Sequence, residues 1–420
     1  MNWFARMTAP GVRRAWSWWH RNSFRESFEA QRPRLLVDVS AVMKSDAQTG
    51  IQRVVRAVWS ELNGRKDCAF EVVPVYATHF HGYCYAPADF LEQSRAPQRE
   101  VAYAGRGDKF LGLDLSAHLL PKYRDQLRAW RRNGATVSLV AYDVLPLIRP
   151  EWFSQKSVAH FRKWFDLLKD EADQAICISD QVARDLCEQL AIAGATEQPV
   201  IGRLQMGGDI QASLPTFGMS DQTRQLLRRL PFRPTILMVG TVEPRKGYEI
   251  ALAAFEYLWR TSPKDAPDLV IVGKPGWKTE RLQKRLRDHP QHGSRLHWLD
   301  QVSDEALCEF YDNCRGVLMA SRGEGFGLPL IEAAAHGRYI LARDLSVFRE
   351  QGLPNVLYFD DDRPSALGSR IMALLTAGQR GSAPVANLPS WHDCIDRLLI
   401  ELGRSRLDDH RSKKAARQAS

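Results

Sequence analysis

The chain lacks any run of about 18 apolar residues, so it offers no candidate for a helix that crosses a membrane. Its N-terminus also lacks the apolar centre of a signal peptide. Its seven cysteines are an odd number, scattered without a single CxxC pair. A secreted disulfide framework favours even counts at tight spacing, so a reducing cytosol fits better and the expected location is cytoplasmic. The same scatter leaves no Cys/His group at zinc-ligand spacing. No zinc finger, basic zipper or RNP-like aromatic motif is present, which argues against nucleic acid as a partner. No repeat with a period of about 20–50 residues is found, which removes solenoids and propellers.

What is present is globular. The 420 residues are 44% hydrophobic and 25% charged. Domains usually run ~100–200 residues, so two are expected. The net charge of +9, from 58 basic and 49 acidic residues, suits an anionic membrane surface or phosphate-bearing ligands. Residues 1–33 form an arm rich in Trp, Phe and Arg (MNWFARMTAPGVRRAWSWWHRNSFRESF). It reads either as a helix lying in a membrane interface or as an arm packed on the domain surface. Residues 406–420 read as a basic, solvated tail.

Between these ends, apolar strands alternate with amphipathic helices. In the first half, strands are expected at 35–39, 70–76, 136–142 and 174–178. A helix follows Thr49-Gly50, with Ile51, Val54, Val55, Val58, Trp59 and Leu62 at steps of three and four. Residues 85–125 carry no clear pattern. The second half is more regular, with strands at 235–239, 268–272, 295–299, 316–320, 338–342 and 356–359. Such alternation predicts α/β architecture with two parallel sheets facing a cleft. The expected division is 34–215, 216–385 and a last helix in 386–405 that could return to the first domain. In such sheets, ligands sit beyond the carboxyl ends of the strands.

Two strand-end loops carry candidate chemistry. The first runs from Gly240 and Thr241 to Gly247 and holds Arg245 and Lys246 just before a helix. Arg can grip phosphate oxygens with two parallel N–H groups, and Lys acts as a point charge. Together they can stabilise the charge that develops on a departing diphosphate. A solvated basic turn is the plainer reading. The second loop, Ser321–Glu332, has Gly323, Gly325 and Gly327, which permit close backbone approach, and Pro329 at a helix start. Glu324 precedes that helix and could face a sugar; Glu332 lies one turn inside it and could accept hydrogen bonds from a ribose diol. A cap and a helix-surface residue are the plainer readings of these two.

Glu324 and Glu332, with seven residues between them within EGFGLPLIEA, resemble the EX7E motif of retaining family 4 glycosyltransferases. VGTVEPRKG resembles that family's diphosphate loop, and IVGKPGW, WLDQVSDEAL and LARDLSVFREQG extend the likeness. VDVSAVMKSDAQTGIQRVVR and YDVLPLIRPEWF resemble a bacterial polysaccharide and O-antigen subgroup of mannosyltransferase type. The resemblance covers roughly residues 34–403. It implies the GT-B fold, two Rossmann-like domains around a donor cleft, and a nucleotide sugar as co-substrate with no metal. It further implies that Arg245 and Lys246 hold the donor diphosphate, alongside Gly240, Thr241, Gly273 and Lys274. Glu332 would bind the ribose, and Glu324 the sugar hydroxyls. The backbone of Gly325, Phe326, Gly327 and Leu328 would hold sugar or phosphate. Val302 would lie near the base, and Gly50 and Ile51 would close over the phosphates. Tyr142 and Asp143 would stand on the acceptor side, facing a saccharide or lipid-linked acceptor.

Two residues depart from the pattern. Thr241 stands where many relatives have Arg, and Tyr142 where many have His. Other features are weaker. Asp360-Asp361-Asp362 offers a DxD spacing, but it follows a strand and precedes a helix, as caps do. His79 and His81 are spaced like metal ligands or acceptor contacts, with no third ligand near. Trp277 reads as packing before sugar stacking. The rival functions are a non-catalytic nucleotide-sugar-binding component of an assembly complex and a GT-B epimerase.

Overall fold

The computed structural model describes residues 32–45, 49–92, 99–195, 197–379 and 383–404. The arm before residue 32, with its membrane reading, and the basic tail lie outside the described residues.

The first sheet holds β1 (Arg34–Asp38), β2 (Glu71–Tyr76), β3 (Cys84–Tyr85), β4 (Lys109–Gly112), β5 (Thr136–Ala141), β6 (Gln174–Cys177) and β7 (Val200–Arg203), in the order β3-β2-β1-β4-β5-β6-β7. Only the β2–β3 pair is antiparallel. The second sheet holds β8 (Thr235–Val239), β9 (Asp268–Val272), β10 (Leu296–Leu299), β11 (Gly316–Met319), β12 (Ile340–Arg343) and β13 (Val356–Phe359), ordered β10-β9-β8-β11-β12-β13 and parallel throughout. Strands such as QAIC (β6) and DLVIV (β9) are buried along their whole length. Helices cover both faces of a parallel sheet, so its strands alternate little between apolar and polar.

Three strands were not expected. β3 has two residues and β4 four (KFLG), too few to show a pattern within 85–125. β7 contains Gly202, a poor strand former, whose missing Cβ leaves room for Glu401 Oε2.

The last helix, Trp391–Gly403, packs on the helix Gly50–Gly64 of the first domain. Arg65 donates to Asp396 at 2.5 Å and Trp391 Nε1 donates to the Asp209 carbonyl at 2.9 Å. Its start is set by a capping box between Ser390 and Asp393. The helix Gly50–Gly64 starts the same way, with Thr49 and Gln52.

The chain order of each sheet reverses once, between β1 and β4 in the first and between β8 and β11 in the second. These two switch points leave a crevice at the carboxyl ends of the strands, where ligands of open α/β sheets bind.

Candidate active site

The loops after β8 and β11 leave the second sheet side by side at its switch point. Pro244–Lys246 form one turn of 3₁₀ helix, and Gly247 then takes up φ +72° before the helix Tyr248–Thr261. The backbone N–H of Arg322 donates to the Arg245 carbonyl at 2.7 Å, which ties the loops together. Lys246 Nζ donates to Glu324 Oε1 at 2.6 Å, and Arg245 Nη1 donates to Glu324 Oε2 at 2.6 Å. Ser321 Oγ adds a third bond to Glu324 at 2.7 Å, and Arg245 Nη2 also meets Glu243 at 2.8 Å.

The side chain of Glu324 is only 6% exposed. Burial alone would raise its pKa, but Lys246 and Arg245 hold it down to about 2. Burial also works against the Arg245 charge; Glu324 and Glu243 more than offset it, so the guanidinium is harder to deprotonate than usual. Glu243 goes the other way: burial raises it, and Arg245 and Lys246 only partly compensate. Arg245 Nε is buried with no hydrogen-bond partner among the described residues.

Glu332 is 2% exposed, and both its oxygens are engaged. Tyr311 donates its hydroxyl to Oε2 at 2.8 Å, and Arg53 Nη1 reaches across from the first domain to Oε1 at 2.5 Å. Arg53 also pairs with Asp304. Glu332 is therefore not a helix-surface residue. Arg53, Glu243 and Ser321 were not singled out from the sequence. A faint sign of Arg53 was there: RVVR sets two arginines around the apolar Val54 and Val55.

The glycine loop lies close to the first domain. A Cβ on Gly325 would come within 1.8 Å of the Tyr142 carbonyl oxygen. Gly327 has φ +94°, a conformation that side chains resist. Leu328 faces Gly50, whose Cβ position lies 3.8 Å from Leu328 Cδ1, and Ile51 is half-buried beside it. Phe326 turns elsewhere and lines a 410 Å³ cavity with Ile178, Glu350 and Arg397. Gly240 and Gly273 abut at the ends of β8 and β9, with the Gly240 N–H donating to the Val272 carbonyl at 2.9 Å. Thr241 lies against Gly276, and the Lys274 carbonyl accepts from the Val242 N–H at 2.9 Å. Val302 is half-buried just before Asp304.

Tyr142 corrects its expected place. Its hydroxyl donates to the Leu113 carbonyl at 2.8 Å, inside the first domain, so only its backbone meets the cleft. Asp143 does face the charged cluster. Burial raises its pKa, with Arg245 the main opposing influence. Asp361 and Asp362 are bound up with Arg363, Arg322 and Arg343. Trp277 donates to the Trp152 carbonyl at 2.8 Å and stacks on Phe153, so it packs the two domains together.

Residues 233–377 match the family profile described as Glycosyl transferases group 1. That match spans the whole of the second sheet, from β8 to β13. A serotype-specific mannosyltransferase WbdA of Escherichia coli is 38% identical over 375 residues, covering 87% of this chain and 44% of that protein. The O-antigen chain mannosyltransferase B of Escherichia coli is 28% identical over 181 residues, covering 41% of this chain and 46% of that protein. The chain thus spans about half the length of the curated relatives it matches. Sucrose-phosphate synthase from Thermosynechococcus elongatus superposes with a TM-score of 0.57 at 17% identity, over 92% of this chain and 100% of that one. Anabaena HepE, solved in complex with UDP and glucose, gives 0.57 at 15% identity with the same coverage. The two domains together thus have the GT-B fold. No helix among the described residues is long and apolar enough to cross a membrane.

Proposed function

We propose that this chain is a retaining glycosyltransferase of cell-surface polysaccharide assembly. It moves a hexosyl unit, with mannose from GDP-mannose the first choice, onto a saccharide or lipid-linked acceptor at the cytoplasmic side of the membrane. The observation that carries this reading is the meeting of Arg245, Lys246 and Glu324 within 2.6 Å contacts at the switch point of the second sheet. The names of the relatives support the choice of mannose.

The chemistry follows from the charges. Arg245 and Lys246 meet the donor diphosphate and stabilise the charge that grows on it as the sugar–oxygen bond breaks. The unpartnered Nε of Arg245 is a further donor in that cluster. The acceptor hydroxyl forms the new bond to the same carbon from the same face, and its proton passes to the departing phosphate oxygen. Glu324 stays ionised and accepts hydrogen bonds from sugar hydroxyls. Glu332 has about four lone-pair positions and uses two, so a ribose diol can share it with Arg53 and Tyr311. The two cations supply the charge that a metal would otherwise bring, so donor binding is expected without added metal.

Product analysis tests this reading. GDP-mannose and a mannose-terminated saccharide should yield a new glycosidic bond with the donor's own anomeric configuration. An inverted bond, or an isomerised sugar with no bond formed, would overturn it.

A further inference from the structure

His79 and His81 are not partners in the structure. His79 packs instead against His118, with ring centroids 5.5 Å apart, and His118 lies 6.2 Å from His160. Lys122 Nζ sits 2.9 Å from His79 Nδ1. An ammonium group has no acceptor, so Lys122 donates and His79 Nδ1 receives, which takes that nitrogen away from any metal. Lys122 leads in pulling the His79 pKa below its ordinary value, followed by slight burial, Lys44, Lys156 and His160. His118 is pulled down as well, first by burial and then by Lys44, His79, His160 and Lys122. Each of these neighbours is positive when charged.

The cluster has a definite place. Lys44 ends the helix that follows β1, His79 follows β2, and His118 and Lys122 follow β4. They therefore ring the switch point of the first sheet, the counterpart of the position that Arg245 and Lys246 hold in the second. Lys156 and His160 border it from the helix Gln155–Glu171. Lys44, His79, Lys122 and Lys156 are exposed. Next to His79 stands Phe80, 90% exposed. Like charges gathered at a strand-end crevice repel one another and focus a field that attracts anions. An exposed aromatic ring beside cations suits a lipid–water interface.

We propose that His79, His118, His160, Lys44, Lys122 and Lys156 form a second anion site, which takes a phosphate ester presented at a lipid surface, with Phe80 entering the interface. The site stands on its own geometry, whatever the donor domain transfers.

Co-sedimentation of the full chain with phosphatidylcholine vesicles, with and without phosphatidylglycerol, tests it. The wild type should bind the anionic vesicles. The combined variant Lys44→Gln, Lys122→Gln, Lys156→Gln should bind them about a hundredfold more weakly, since each lysine near an anionic surface contributes roughly a factor of five. Phe80→Ser should weaken binding several-fold. The N-terminal arm is intact in every protein, so the difference reports the cluster. Displacement by inorganic phosphate would show that the phosphate group alone is recognised. Charge-dependent binding that phosphate does not displace would assign the headgroups of the bilayer. Either result upholds the site. Variants with unchanged melting temperature that bind like the wild type, or a wild type indifferent to phosphatidylglycerol, would overturn it. Stabilisation by GDP-mannose, read on the same samples, reports separately on the donor site.

Discussion

Asp114 in the first domain and Glu324 in the second are both buried carboxylates in loops after a strand, yet their acidities diverge. Burial, with nearby Asp38 adding to it, lifts Asp114 to about 7. Glu324 is held at about 2 by two cations. Asp114 accepts hydrogen bonds from the N–H groups of Ala41 and Val42, at 2.7 and 2.8 Å, and among the described residues it makes no ion pair. The contrast teaches that burial alone makes a carboxylate a structural acceptor. Burial with paired cations makes a permanently charged group, suited to a ligand that carries charge itself.

The largest effect should come from breaking the charged side of this contrast. Glu324→Ala is expected to lower transfer on the order of a thousandfold or more, while circular dichroism reports an intact fold. Normal turnover would remove Glu324 from the mechanism.

Next comes the contact that crosses the cleft. Arg53→Ala leaves Glu332 and Asp304 buried without their cation, and urea unfolding should show a loss of about 3–5 kcal/mol. A loss below about 1 kcal/mol would mean that the contact is peripheral.

The two acidities also predict opposite pH trends. The folded pKa of Asp114 is raised, so its contribution is full below about 4 and is lost as pH rises through about 7. Asp114→Asn should therefore flatten the stability profile between those limits, by about 4 kcal/mol. Glu324 is lowered, so its contribution is full above about 4.5 and is lost as pH falls through about 2. Glu324→Gln should remove that acid-side loss. Identical profiles for wild type and variants would show that the difference in environment has no thermodynamic weight.

The smallest effect is expected at the DxD stretch. Asp361 pairs with its near neighbour Arg363 at the surface. Asp361→Asn should leave the urea unfolding midpoint and the donor affinity unchanged. A tenfold loss of affinity would reopen a role for these aspartates.

Much of the architecture was legible because the second half alternates strand and helix with clear Gly and Pro punctuation. The loops at 240–247 and 321–332 stood out for the same reason. What escaped depends on distance or direction. Arg53 reaches Glu332 across 279 positions of sequence, which no local pattern reveals. β4 was too short to be seen among irregular neighbours. In YD, successive side chains of extended chain point to opposite sides, so only one could face the cleft. The pair favoured neither, and Asp143 is the one that does. His79 and His81 share a spacing that suggests partnership, but the loop between them turns His79 to His118.

The central claim is that Arg245, Lys246 and Glu324 form a pocket for a diphosphate-linked sugar. Thermal unfolding with GDP-mannose, in the presence of a chelator, tests it most directly. At 100 times its dissociation constant the donor should stabilise the wild type by ~2.7 kcal/mol, and Lys246→Ala should lose most of that gain. Equal stabilisation of both proteins, or none of either by any nucleotide sugar, would contradict the account.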